Sequence, residues 1–248
     1  MASSGGAWFA AGVTSGAAGG EQVGRRSASG ENRLPPAVAV VVAIVVYALL
    51  PDPLLFTHRL ATPVVELLLL VALVVTNPRR MTRETRWSRW ASIGLAGLMI
   101  LTNMASLGLL VASLAGGASS GSNLLLGAMQ IWVTNVIGFG LLFWELDRGG
   151  PVARRRLRRD ELPPADWRFS QDEVGDNVAE VSVTASERSG WIPTFVDYLY
   201  LSLTNSSAFS PTDTMPLTSR AKVLMAIEGT AALLTGLLVV ARAVGTLG

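Results

Sequence analysis

The sequence predicts an all-α fold, a polytopic transmembrane helical bundle of about five spans plus one re-entrant or short pore-helix-like segment. Three observations predict it. Half of the 248 residues are hydrophobic and only 15% are charged, against about 25% in an ordinary soluble domain. The missing charge leaves long uncharged apolar runs of bilayer-crossing character. Arginines gather in alternate links between those runs, as in a chain threaded back and forth through a membrane.

Composition also excludes functions. The net charge of +2 is too small for a nucleic-acid partner, and the basic residues flank apolar runs rather than forming a patch. No cysteine and a single histidine, His58, leave no thiolate or multi-histidine metal site, and no cofactor is expected. The sequence has no P-loop, GxSxG or HExxH motif and no paired carboxylates in a soluble domain, so no enzyme is expected. The expected partner is the lipid bilayer, in the cell membrane.

Residues 1–35 are rich in Gly, Ala and Ser and carry Arg25, Arg26 and Arg33. They read as a flexible tail with too little apolar surface to offset ordering entropy. Residues 36–146 read as a four-span bundle. Pro36 opens the first span, Ala37 to Leu50, which ends at Pro51-Asp52-Pro53. Pro63 to Val75 forms the second, carrying Glu66 near its interfacial start. Ala91 to Leu114 forms the third, with Asn103 near its middle, and Leu124 to Trp144 the fourth, with Gln130, Thr134 and Asn135.

Residues 147–192 are the one sizeable polar segment. Eight arginines meet nine acids between Asp147 and Ser189, and the segment reads as a solvated cytoplasmic loop. Residues 193–248 comprise an aromatic stretch, short for a crossing, and a last span from Ala221 to Val244. Arginines before the first span, five between the second and third, and six after the fourth place the N-terminus and the large loop in the cytoplasm. If residues 195–209 crossed fully there would be six spans and a cytoplasmic C-terminus.

Polar residues inside spans are the candidate sites. Glu228 reads as an ion-path carboxylate or as a hydrogen-bonding acid that joins helices, with Gln130 or Asn135 as partner. Asn103, Gln130, Thr134 and Asn135 read chiefly as packing groups. Ser206, Ser207, Ser210, Thr212 and Asp213 cluster in the turn before the last span, where they would bind an ion or shape the turn; Thr218 or Asp213 would cap the helix. Ala232 and Gly236 form a small-xxx-small pair suited to close helix packing.

The stretch Asp213-Thr214-Met215-Pro216-Leu217-Thr218 resembles the segment after the selectivity filter of potassium-type pore-loop channels. Tyr198 to Thr204 (YLYLSLT) is similar to their pore helix. The resemblance covers about residues 193–244 and implies that the last span is an inner helix and the fourth an outer one. A single such module cannot surround a pore, so a conducting form would be a homo-oligomer. Ala208-Phe209-Ser210-Pro211-Thr212 stands where that family has Thr-Val-Gly-Tyr-Gly. Without those glycines, and with Pro211 fixing its torsion, the backbone carbonyls cannot line a potassium filter. That family's pore loop also enters from outside, whereas the arginines here point to the cytoplasmic side. The WELDRGGP and TNSSAFSPTDTMPLT patterns resemble an uncharacterised family of bacterial membrane proteins. Two functional expectations follow: a channel-like protein of unknown selectivity, or a non-conducting scaffold or partner subunit that docks a cytoplasmic protein through residues 147–192.

Overall fold

The computed structural model describes residues 30–55, 58–76, 80–81, 85–116, 121–173, 183–208 and 214–245. Its helices of more than four residues are α1 (Leu34–Ala48), α2 (Ala61–Thr76), α3 (Arg86–Gly116), α4 (Gly121–Leu146), the short α5 (Pro151–Arg156), α6 (Phe195–Ala208) and α7 (Ser219–Gly245). Strand β1 (Glu31–Asn32) pairs antiparallel with β2 (Arg80–Met81), and β3 (Trp167–Phe169) with β4 (Thr214–Pro216). Helices α3, α4 and α7 are long and apolar enough to cross a membrane. Helices α1 and α2 are apolar but have 15 and 16 residues, short of the roughly 20 that a straight crossing takes.

Local chemistry sets the helix ends. Proline stands in the first turn of α1, where its missing N–H is no loss, and Asn32 Oδ1 accepts from the Leu34 amide at 3.0 Å. At the other end Arg59 donates to the Ala48 and Leu50 carbonyls at 2.8 and 3.0 Å and pairs with Asp52. A cation there favours the negative end of the helix dipole. Thr85 and Ser88 exchange side-chain and backbone hydrogen bonds, each 3.1 Å, at the start of α3. Thr218 caps α7 by accepting from the Ala221 amide at 3.2 Å; Asp213, the other expected cap, lies outside the described residues.

Helix α4 is the centre of the bundle and packs against α1, α3, α6 and α7. It comes close to the α6 backbone at Gly140, where a Cβ would lie 3.2 Å from the Leu199 Cα. Outward faces are apolar: Val38, Val45, Leu68, Leu101, Met129, Val223, Leu237 and Val240 are all exposed. Polar side chains sit inside this apolar periphery, an inversion suited to lipid rather than water.

The arginine-bearing links meet at one end. The β1–β2 pair sets the N-terminal segment beside the α2–α3 link, and Arg89 on α3 donates to the Gly149 carbonyl just past α4. The chain reverses there through three left-handed residues, Arg148 (φ 50°), Gly149 (φ 81°) and Gly150 (φ 93°).

The expectation of a solvated loop over 147–192 is corrected for 147–173, which are docked on the bundle. The wholly buried Asp147 carboxylate accepts from the Asp166 amide at 2.7 Å and the Tyr198 hydroxyl at 2.5 Å. Arg154, also wholly buried, donates to the Trp144 and Asp147 carbonyls at 2.8 and 2.7 Å, and its guanidinium lies 4.9 Å from the Tyr198 ring centroid. Trp167 packs on Phe143 with centroids 4.7 Å apart and on Tyr198 at 6.4 Å; aromatic pairs of this kind contribute about 0.5–1.5 kcal/mol beyond area burial. Asp166 binds Thr218 and Arg220, tying the segment to the start of α7. Docking is possible because the buried charged groups find hydrogen-bond partners on the bundle and within the segment.

The expected tail, residues 1–35, is corrected at its end. Glu31 is buried and accepts from Trp144 Nε1 at 3.1 Å and the Phe195 amide at 2.8 Å. Burial pushes its carboxyl above the usual range, opposed by the Arg154 guanidinium 3.9 Å away. Residues 1–29 lie outside the described residues.

Candidate functional site

Helix α6 presents Ser202, Asn205 and Ser206 at spacings i, i+3 and i+4, which share one face. That face meets Glu228 of α7, whose side chain has no exposed surface. Ser202 Oγ bonds Glu228 Oε1 and stands 2.8 Å from the Val136 carbonyl of α4. Ser206 Oγ lies 3.2 Å from the same Oε1. Asn205 Nδ2 donates to Glu228 Oε2 at 2.7 Å and to the Met225 carbonyl at 3.0 Å. A buried carboxyl is tolerated only when so surrounded.

A weaker amide relay extends the site across the bundle. Asn135 Nδ2 donates to the Glu228 carbonyl at 3.4 Å, and Asn103 Nδ2 donates to Asn135 Oδ1 at 3.4 Å. Asn103 and Asn135 are both buried, so α3, α4, α6 and α7 all contribute to one internal polar belt.

Several sequence expectations change. The Glu228 carboxyl is held by α6 rather than by Gln130 or Asn135, because α6 packs against both α4 and α7; Asn135 reaches only the Glu228 backbone. Thr134 Oγ1 turns back to its own helix, donating to the Gln130 carbonyl at 2.9 Å. Gln130 Oε1 has no hydrogen-bond partner among the described residues. Ser206 belongs to the site, whereas Ser207 points outward. Ser210, Thr212 and Asp213 lie outside the described residues. Ala232 is buried, but Gly236 faces open space, so the pair does not mark a helix contact within the chain. Glu66, expected near an interface, is buried on α2.

Ser202 and Asn205 are the site residues that sequence reading missed. Their signal was the polar face of an otherwise aromatic helix, and its use depended on what that face would meet.

The seat is a set of hard oxygens: one carboxyl, two hydroxyls and the Val136 carbonyl, with a carboxamide beside them. Such donors suit a proton or an alkali cation. Among the described residues no cluster of three or more His, Cys, Asp or Glu side chains could hold a metal ion. No family model matches the chain, and comparison with curated proteins and with solved structures finds no match.

Proposed function

We propose that the chain is a multi-pass membrane protein that lets a proton or small monovalent cation pass by Glu228. In this reading α1 to α4 and α7 are five spans and α6 is a re-entrant segment entered from the arginine-rich, cytoplasmic side. The carrying observation is the Glu228 carboxyl, unexposed and met by two hydroxyls and a carboxamide from one face of α6. Intramembrane carboxyls of this kind mark ion and proton pathways. Both flanks of α6 support re-entry: Tyr198 bonds Asp147, and Thr214 pairs with Phe169, at the same end of the bundle. The short α1 and α2 span by local bilayer thinning. One copy closes around Glu228, so the conducting form is a homo-oligomer, in keeping with the pore-loop likeness of residues 213–218.

The test is ion and proton flux in proteoliposomes made with the wild type and with Glu228→Gln. Flux in the wild type and its loss in the folded variant are expected. No flux in either favours a second reading, a non-conducting scaffold or partner subunit that docks a cytoplasmic protein through residues 147–192. The full engagement of both Glu228 oxygens within one chain favours that reading, since it is also what a helix-joining staple requires.

A further inference from the structure

A second polar feature lies at the arginine-rich end, away from Glu228. A cleft of about 310 Å³ opens between the 147–173 segment and the approach to α6. Arg148, Arg154, Arg159 and Asp172 line it, with Pro163 and Ile192 among its apolar walls. Three arginines against one aspartate give these ionisable groups a formal charge of 3 − 1 = +2.

The guanidinium groups are fixed in place by the protein. Arg154 is held by the Trp144 and Asp147 carbonyls. Arg159 donates to Ser186 Oγ at 3.1 Å and to the Ser186 and Trp191 carbonyls at 2.7 and 3.2 Å. Arg148 donates to the Trp167 carbonyl at 3.2 Å and pairs with Asp172. Side chains already ordered lose little freedom when a ligand arrives. Behind the lining, Asp147 stands 3.7 Å from Arg148 and Glu31 stands 3.9 Å from Arg154.

We propose that this cleft binds a phosphate monoester group. A phosphate monoester carries a charge of about −1.5 to −2 near neutral pH, opposite in sign to the guanidinium groups of the lining, and its tetrahedral oxygens suit planar guanidinium forks. The volume is at the small end of ligand sites, which run from about 300 Å³. The group comes from a soluble small molecule or from a lipid headgroup, and occupancy would clamp residues 147–173 to the Trp191–Ile192 approach of α6.

The test uses the full chain in nanodiscs. One arm titrates inorganic phosphate into discs of phosphatidylcholine alone; the other compares those discs with discs containing phosphatidic acid. Thermal unfolding is the readout. Saturable stabilisation by phosphate assigns a soluble source, and stabilisation only by phosphatidic acid assigns a headgroup. In either arm Arg159→Gln weakens binding by about tenfold or more, the loss of one charge-assisted donor. Arg156→Gln, exposed and outside the lining, leaves binding unchanged. Asp172→Asn removes the one lining carboxylate and tightens binding, a gain that loss of folding cannot mimic. No saturable stabilisation by either probe, or equal binding by the Arg156 and Arg159 variants, overturns the proposal.

Discussion

Asn205 ties α6 to both the side chain and the backbone of α7, donating to Glu228 Oε2 at 2.7 Å and to the Met225 carbonyl at 3.0 Å. A carboxamide nitrogen has two donors, and both are used. No hydroxyl at this position could make the same pair of bonds.

Asn205→Ala leaves a buried carboxyl oxygen and a buried carbonyl short of a donor. We expect a loss of about 1–3 kcal/mol in unfolding free energy, measured by denaturant titration in detergent. Combined with Glu228→Gln in a double-mutant cycle, the coupling should be about 1 kcal/mol, near the upper part of the range for polar pairs in membranes. Additive effects would show that the two side chains do not act together.

Gly150→Ala tests the reversal after α4. Its φ of 93° disfavours any side chain, and a Cβ would stand 3.2 Å from Arg89 Nη1 and from the Glu145 carbonyl. That backbone conformation, with ψ 176°, is open essentially to glycine alone and costs a side-chain-bearing residue about 1–3 kcal/mol, so the melting temperature should fall. Gly94→Ala, in α3 with open space around it, should raise stability by about 0.5–1 kcal/mol through helix propensity. Equal shifts in the two variants would contradict the geometry.

Glu31 predicts a pH dependence. Burial raises its carboxyl above the ordinary value of 4.5, against the opposing Arg154 charge. The fold therefore favours the protonated acid: this contribution is complete below 4.5 and is lost as pH rises through the raised folded value. Glu31→Gln keeps an acceptor for Trp144 and Phe195 and carries no charge. Its melting temperature relative to the wild type should climb as pH increases above 4.5. A relative fall over that range would mean that the Arg154 attraction outweighs burial.

Much of the architecture was legible in the residues. The apolar stretches became helices α1 to α4 and α7, and Thr218 became the α7 cap, because run length, proline position and capping chemistry are local properties. Glu228 stood out because a carboxyl among apolar neighbours needs a partner wherever it folds. The partner was not legible. Ser202 falls in the pore-helix likeness, Ser206 in the turn and Asn205 in neither, and side chains 22 to 26 residues away in sequence meet Glu228 only through helix packing.

The polar segment shows the same division. Its mixed charges read as solvation, yet Asp147 accepts from the Tyr198 hydroxyl in the core, Arg148 pairs with Asp172, and Asp166 pairs with Arg220 against the bundle. By itself the sequence determined an apolar, helical, arginine-flanked chain, because hydrophobicity and charge add up residue by residue. Only the tertiary structure decided which polar groups share an interior, because desolvation is offset only where a donor and an acceptor meet at hydrogen-bond distance.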